Sequence, residues 1–169
     1  MGLAADHALL ETSRQAFDSV GGHLSRSRFK FAINEAMHAV AEANKYFSEQ
    51  APWKLRESDP ARMRTILHVA LQAVDDAKTM LTPFLPRSSQ VVHDMLGGSG
   101  SWSGMPRIET VDEEGGPSYP VITGSYDSSF RWARHPVAVG TPLSVPAPLF
   151  RKLDQSVVDE EIARLAGNE

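Results

Sequence analysis

The sequence predicts an all-α protein, in which an antiparallel helix bundle is followed by a proline-rich irregular arm and a short C-terminal helix. Apolar residues recur at helical spacing through most of the first 97 residues. Helix start and stop signals divide that stretch into four segments with short connections, which favours antiparallel packing. Seven prolines then interrupt residues 105–148. A segment so rich in proline is neither a regular helix nor a central strand.

The first two predicted helices lie on either side of a short turn. Leu10, Phe17 and Leu24 are seven residues apart and define one stripe of the first helix. The pair Gly21-Gly22 predicts that this helix frays or ends in its last turn. The second helix runs towards residue 50. Its predicted core face holds Phe29, Ile33, Ala36, Met37, Val40 and Phe47.

Capping signals mark the third and fourth helices. Asp59-Pro60 is an N-cap followed by proline in the first helical position, and the helix should stop before Pro83. Pro86 opens the fourth helix, and Gly97 ends it. The predicted domains are therefore a bundle over residues 1–97, an extended arm over 98–153 and a C-terminal helix over 154–169. The arm is too apolar for a disordered tail and is expected to lie along the bundle or another domain.

Composition limits the classes of function. The chain of 169 residues has no cysteine, which excludes disulfides, thiolate catalysis and cysteine-based zinc sites. It has no long apolar run and no signal-peptide pattern, so we expect a soluble, cytoplasmic protein without a membrane partner. The net charge of −4 is unevenly spread, because residues 14–64 carry nine Lys/Arg and six Asp/Glu. Ordinary solvated helix faces could also produce so small an imbalance.

No motif in the chain predicts an active site. The glycine-serine loop at residues 97–104 follows a helix and lacks the ending of a phosphate-binding loop. The six histidines form no His-Glu-x-x-His pattern, so no metal site is expected. Asp75 and Asp76 are adjacent and should face different directions, which excludes a paired acid and base. We therefore predict no catalytic residues, no metal and no cofactor.

The run from Asn44 to Leu55 is the most informative part of the chain. Pro52 stops the second helix, and Trp53 follows on a segment that is free to turn its ring outward. Nearby cations at Lys45, Lys54 and Arg56 would suit an indole that stacks on an unpaired base. The alternative from the local sequence is that the indole packs under the loop as a hydrophobic plug.

Several motifs in this region resemble those of bacterial methionyl-tRNA synthetases. Asn44-Lys45-Tyr46 followed by Ala51-Pro52-Trp53 resembles the C-terminal, helical anticodon-binding domain of these class I enzymes. Further similar segments occur in the same order, at residues 29–37, 81–90 and 146–154. The resemblance covers nearly the whole chain and implies a helix bundle of the class I synthetase anticodon-binding type.

The resemblance implies a role for the corner. In the family the Pro-Trp corner meets the methionine anticodon, and the indole stacks on an anticodon base; Pro52 and Trp53 match those positions. The expected partner is therefore a tRNA with a methionine-type anticodon loop. The expected anticodon-binding residues are Trp53, Pro52, Asn44 and Lys45, and the expected phosphate contacts are Lys54, Arg56 and Arg28.

Two departures from the family pattern limit this expectation. The chain carries none of the catalytic motifs of the synthetases, so by itself it should not activate methionine, although family membership links it to methionine–tRNA ligase. The family domain also normally begins with one more helix, whose absence here should leave an apolar groove.

The alternative function is a protein-interaction module that docks on a separate synthetase chain or on another copy of itself. A decayed gene product, which would fold poorly, is a third hypothesis.

Overall fold

The computed structural model describes residues 3–124, 131–150 and 152–166. Five helices, a 3-10 turn and one two-stranded hairpin make up its regular structure. Their bounds are α1 Ala4–Leu24, α2 Phe29–Gln50, the 3-10 turn Pro52–Leu55, α3 Pro60–Leu81, α4 Pro86–Met95, β1 Arg107–Val111, β2 Tyr119–Thr123 and α5 Gln155–Ala166. The predicted helical fold is confirmed. Within the described ranges, no helix is both long and apolar enough to cross a bilayer.

The core lies between α1, α2 and α3 and has two parts. One end of the bundle buries Ala16, Phe17, Val20, Ala32, Ala36, Ala39 and Met80. The other end buries Leu9, Tyr46, Ile66, Val69 and Ala73. Because α2 contributes mainly alanines, its backbone can approach α1 and α3 closely, and Tyr46 is its one large buried side chain. Most of the volume of the core therefore comes from α1 and α3.

The predicted core face of α2 is only partly buried: Ala36 is buried, and Val40 and Phe47 are half-buried. The other three residues of that face, Phe29, Ile33 and Met37, are 55%, 38% and 52% exposed. The buried stripe consists of Ala32, Ala36, Ala39 and Tyr46. The two stripes lie side by side on the helix, and the periodicity of apolar residues fits both. Because α2 packs closely against α1, its small residues form the contact, and Phe29, Ile33 and Met37 remain exposed.

The predicted helix ends are confirmed at α3 and α4. The Asp59 carboxylate accepts a hydrogen bond from the backbone N–H of Arg62 at 2.9 Å, and Pro60 occupies the first turn. The helix ends at Leu81, two residues before Pro83. Beyond α4, Gly97 has a φ of 82°, the left-handed conformation in which glycine avoids the steric cost of a side chain. Local signals thus fix these boundaries without help from the rest of the fold.

The arm lies along the bundle at residues 131–137. The Trp132 ring is 4.7 Å from the Phe17 ring, measured between centroids. Arg134 donates to both carboxylate oxygens of Asp76, at 2.6 and 3.0 Å. Gln72 of α3 donates to the His135 carbonyl and accepts from the backbone N–H of Val137. These contacts fasten the arm over α1 and α3.

The sequence did not predict the β1–β2 hairpin. The strands pair antiparallel, with Ile108 opposite Ile122 and Thr110 opposite Pro120. Proline is tolerated in β2 because each strand of a two-stranded sheet is an edge strand, so a missing N–H need not break a ladder. Both Ile108 and Ile122 are more than 70% exposed. The hairpin therefore adds little to the core.

Gly21 and Gly22 lie in the last turn of α1, which ends at Leu24, so the helix ends in the turn that the sequence indicated. A Cβ atom at Gly21 would lie 2.6 Å from Nε1 of Trp132, whereas a Cβ at Gly22 would meet nothing within 4 Å. Gly21 therefore provides room for the indole of the arm. The absence of a side chain at Gly21 is thus what allows Trp132 to pack against α1.

We predict that Gly21→Ala releases the arm from the bundle. The added methyl group would overlap Trp132, and overpacking of this kind costs roughly 1–3 kcal/mol. Trypsin should then cut faster after Arg131 and Arg134. The matched control is Gly22→Ala, which should stabilise α1 by up to about 1 kcal/mol and leave the cleavage rate unchanged or slower. Equal cleavage of both variants would contradict the role given to Gly21.

Candidate nucleic-acid interface

The corner after α2 presents the Trp53 indole to solvent. Ala51 is left-handed, with φ 43° and ψ 57°, so it reverses the chain and lets Pro52 begin the 3-10 turn. Pro52 is buried, whereas Trp53 is 57% exposed. The indole lies against Phe47, with ring centroids 5.7 Å apart and planes at 59°. Trp53 is therefore not a hydrophobic plug, because Pro52 and Leu55 fill the interior beneath the loop.

A buried polar cluster holds this corner in place. Asp6 of α1 is 2% exposed and accepts hydrogen bonds from the Tyr46 hydroxyl at 2.6 Å and from Arg62 Nη2 at 2.8 Å. The same Arg62 nitrogen donates to Gln50 Oε1 at 2.8 Å. Arg62 therefore joins the start of α1 to the last residue of α2. The chain turns towards Trp53 immediately after that anchored residue.

The contacts within this cluster shift the pKa values of two of its members. The Arg62 guanidinium, followed by the Tyr46 hydroxyl and the Leu3 N–H, lowers the pKa of Asp6 from 3.8 to about 2 against the opposing effect of burial. Burial and the hydrogen bond to Asp6 raise the pKa of Tyr46 well above its ordinary value. Asp6 is thus an anion and Tyr46 a neutral donor across the physiological range of pH. The Arg62 guanidinium is therefore paired with the charged Asp6 carboxylate throughout this pH range.

Sequence reasoning missed the role of Asp6 and Arg62. The two residues are 56 positions apart, and no local rule connects them. One signal was present: Tyr46 falls within the alanine stripe of α2, and a buried tyrosine hydroxyl normally has a polar partner. That signal indicates that a partner exists without identifying it.

The cations predicted to flank the indole divide into two groups. Lys54 and Arg56 are exposed on the same short segment as Trp53. Lys45 lies on the α1 side of α2, beside a small cleft shared with Ala5 and Leu9, and its ammonium is 3.9 Å from a Glu42 carboxylate oxygen. The corner itself therefore carries two nearby cations rather than three.

Asn44 and Arg28 also lie apart from the indole, in different ways. Asn44 is exposed and lines a groove shared with α3 and α4, whereas Lys45 lines a cleft shared with α1. Arg28 is the N-cap of α2, at the far end of the helix. At 1.5 Å per residue, the 22 residues of α2 place Arg28 about 33 Å from the corner. The predicted site residues thus occupy three separate regions of the surface.

The groove beside Asn44 is apolar and open. Its volume is about 230 Å³, and α2, α3, α4 and the end of the arm contribute its walls. The lining includes Val40, Ala43, Asn44, Val74, Ala77, Leu81, Leu85, Val92, Leu149 and Phe150. Val74 and Leu85 are 41% and 39% exposed, and Met37 on the adjoining surface of α2 is 52% exposed. Of the large apolar residues that the sequence assigned to the core face of α2, Val40 lines this groove.

The two adjacent aspartates of α3 have separate structural partners. Asp75 accepts from Lys78 Nζ at 2.5 Å, and that ammonium lies 3.5 Å from the centroid of the Trp102 ring. Asp76 is paired with Arg134 of the arm. The two adjacent carboxylates thus bind different cations. Both serve to hold the chain that follows α4 against the bundle.

Comparison with known proteins places this geometry in a family. The model of the anticodon-binding domain of methionyl-tRNA ligase matches residues 2–111. The chain belongs to this family. The matched region contains the whole four-helix bundle, the Pro-Trp corner and the groove.

Relatives of this anticodon-binding domain are much longer proteins. The chain is 63% identical over 167 residues to methionine–tRNA ligase of Thermobifida fusca, covering 95% of this chain and 28% of that protein. It is 59% identical over 165 residues to the ligase of Salinispora arenicola, again covering 28% of the relative. The chain thus spans less than a third of the length of these relatives.

Solved structures of a related enzyme share the fold. The free form of Mycobacterium tuberculosis methionyl-tRNA synthetase superimposes with a TM-score of 0.57 at 34% identity, over 60% of this chain and 21% of that one. Its form bound by methionyl-adenylate gives 0.56 at 35% identity, over 59% and 20%. At this level of identity the likeness extends to sequence as well as to fold.

We predict that Asp6→Asn destabilises the domain by about 3 kcal/mol at pH 7, because Arg62 would keep a buried charge without its counter-ion. The dependence on pH follows from the lowered pKa of Asp6. The carboxylate contributes roughly 2 kcal/mol above about pH 4, and this contribution disappears as the pH falls from 4 to 2. Urea unfolding of both proteins at several pH values measures the difference.

The control for this experiment is Glu11→Gln. Glu11 pairs with Arg14 on the surface of α1, and an exposed pair contributes about 0–1 kcal/mol. Its removal should leave stability nearly unchanged at pH 7. A difference between Asp6→Asn and the parent chain that persists undiminished at pH 2 would contradict the assignment of the titrating group.

Proposed function

We propose that this domain binds the anticodon region of a tRNA with a methionine-type anticodon, and that Trp53 stacks on an unpaired base. The main support for the proposal is that the Trp53 indole is exposed to solvent while its ring packs against Phe47. Phe47 supports one side of the ring, and the corner follows directly on Gln50, which the Asp6–Arg62 cluster anchors. A fixed aromatic face binds a base without an ordering cost at the moment of contact.

Charge supports the same site, but weakly. Lys54 and Arg56 are exposed beside the indole and suit phosphates on either side of the stacked base. Glu57 and Asp59 follow within three residues, and the chain as a whole carries −4. Stacking, at about 1–3 kcal/mol per base, is therefore the larger contribution, with a modest, salt-sensitive phosphate contribution beside it.

The proposal concerns binding and assigns no reaction to this chain. The relatives named methionine–tRNA ligase extend far beyond the matched region. We propose that methionyl-tRNA synthesis requires residues supplied by another part of a synthetase, with this domain contributing the contact to the anticodon.

We predict that Trp53→Ala weakens binding to an anticodon hairpin by about 5- to 150-fold, the equivalent of 1–3 kcal/mol for one stacked base. Trp53→Phe should recover part of that affinity because it keeps an aromatic face. The measurement is fluorescence anisotropy with a labelled hairpin that carries the methionine anticodon loop, at two salt concentrations.

Two controls make this result specific. Val91→Ala removes another exposed apolar side chain, on α4, and should leave hairpin binding unchanged. A hairpin with an altered anticodon should bind more weakly to the parent chain. If both hairpins bind equally and weakly, and salt abolishes both signals, specific recognition of the anticodon is wrong.

The groove supports a second candidate function, as a docking surface for a helix from another part of a synthetase. Its walls are almost wholly apolar, and exposed Met37, Val74 and Leu85 extend the surface. Apolar surface of this kind normally has a partner. The relatives are more than three times as long as this chain, so a synthetase segment outside the matched region is the occupant that we favour over a second copy.

We predict that Val74→Asp abolishes binding of the remaining part of the Thermobifida fusca relative, expressed without the region that matches this chain. Burial of a charge in the apolar groove has no compensating partner. Ile108→Asp, at a residue that is 77% exposed on the hairpin, is the matched control and should bind normally. Sedimentation velocity distinguishes the alternative: a dimer of the parent chain that Val74→Asp dissociates would identify a second copy as the occupant.

A further inference from the structure

The turn between α1 and α2 carries a second basic surface, far from Trp53. Arg26 lies in the turn, Arg28 caps α2, and Lys30 and Phe31 lie in its first turn. All four side chains are exposed, and Phe31 is 60% exposed. We call these four residues the basic tip. The anticodon corner does not use them, because α2 separates the two places by about 33 Å.

The charges of the basic tip are not neutralised locally. Residues 23–34 contain three Lys/Arg and no aspartate or glutamate. Within the described part of the chain, neither arginine of the tip nor Lys30 forms an ion pair, whereas Arg14, Arg62 and Arg134 all do. Three like charges within the exposed residues 25–31 create a local positive potential in an acidic protein.

Local contacts fix the backbone from which these cations extend. Ser27 has a φ of 55°, a conformation that is strained for a residue other than glycine. The backbone N–H groups of Ser27 and Arg28 donate to the carbonyls of Leu24 and His23, each at 2.9 Å. Phe31 stacks on the His23 ring at 5.6 Å with an interplanar angle of 26°, so one of its faces is supported. These local contacts order the backbone of the basic tip and the ring of Phe31.

We propose that the basic tip binds the sugar-phosphate backbone of an RNA stem, and that this stem continues from the loop held at Trp53. This inference rests on the proposed function and adds a second contact to it. Unpaired cations without neighbouring carboxylates complement a phosphate chain and no particular base sequence. An exposed aromatic ring beside them suits contact with sugars or with an unpaired base at a stem irregularity.

Distance decides which RNA can reach both surfaces. A duplex rises roughly 3 Å per base pair, so about 33 Å corresponds to about 11 base pairs. A hairpin with a five-base-pair stem should therefore contact the Trp53 corner alone. A hairpin with the same loop on a stem of about 14 base pairs should contact the corner and the tip together.

The test compares these two hairpins with the full chain. The parent chain should bind the long hairpin more tightly than the short one, with a log–log salt slope steeper by about 2 to 3 for three phosphate contacts. That slope reduces the advantage of the long stem by roughly 30-fold between 50 and 200 mM salt. Combined Arg26→Ala, Arg28→Ala and Lys30→Ala should remove the advantage and leave short-hairpin binding intact.

The control variant has the same net charge but keeps the tip. It combines Arg87→Ala, Arg107→Ala and Lys152→Ala, three exposed cations elsewhere on the chain, and should keep the advantage of the long stem. Circular dichroism melts check that both triple variants fold.

Failure of this inference can be distinguished from failure of the proposed function. Equal binding of long and short hairpins by the parent chain would overturn the role of the tip and indicate a protein-facing surface instead. An equal loss in both triple variants would also overturn it, because net charge alone would then explain the effect. Failure of anticodon recognition would appear separately, as short-hairpin binding that ignores Trp53→Ala and the anticodon sequence.

Discussion

The ion pair between Asp6 and Arg62 is the interaction on which the candidate site depends. It is buried at the point where α1 begins, α2 ends and α3 begins, and Tyr46 and Gln50 complete its hydrogen bonds. A buried pair is stable only when its remaining polar atoms are satisfied, which restricts the three helix ends to one arrangement. The left-handed Ala51 and the buried Pro52 then turn the chain from that fixed point. The position of the Trp53 indole therefore depends on the contact between Arg62 and Gln50, three residues before it, and on Asp6 near the start of α1.

A second buried carboxylate organises the other side of the bundle. Asp76 is fully buried and accepts from Ser13 of α1 and Arg134 of the arm. Together with Trp132 in the space left by Gly21, it directs the arm over α1 and α3. This part of the arm therefore covers α1 and α3, whereas the apolar groove between α2, α3 and α4 is bordered by the end of the arm at Leu149 and Phe150. The position of the groove follows from where the arm is fastened.

Helix α2 is the common element of all the surfaces discussed. Its C-terminal end leads to the Pro-Trp corner, its outer face lines the groove, and its N-terminal end carries the basic tip. An unbroken helix fixes the distance between its ends, so the corner and the tip have a constant separation. Because the alanine stripe packs in the core, Phe29, Phe31 and Met37 of α2 are exposed at the surface. One helix thus contributes to three different surfaces: the aromatic corner, the apolar groove and the basic tip.

The sequence by itself determined the local features of this protein. The Asp59 cap, the prolines at residues 60 and 86, and Gly97 act through their own backbone geometry, so they predicted the helices and their ends correctly. Motifs around Tyr46 and Trp53 were enough to indicate the family. Only the tertiary structure decided which stripe of α2 is buried, why α1 needs a glycine at position 21, and that Asp6 of α1 anchors the corner beside Trp53 through Arg62. These outcomes depend on partners distant in sequence, such as Trp132 for Gly21 and Arg62 for Asp6. Helical periodicity specifies that a face will be buried, whereas the shape and charge of the neighbouring elements select which one.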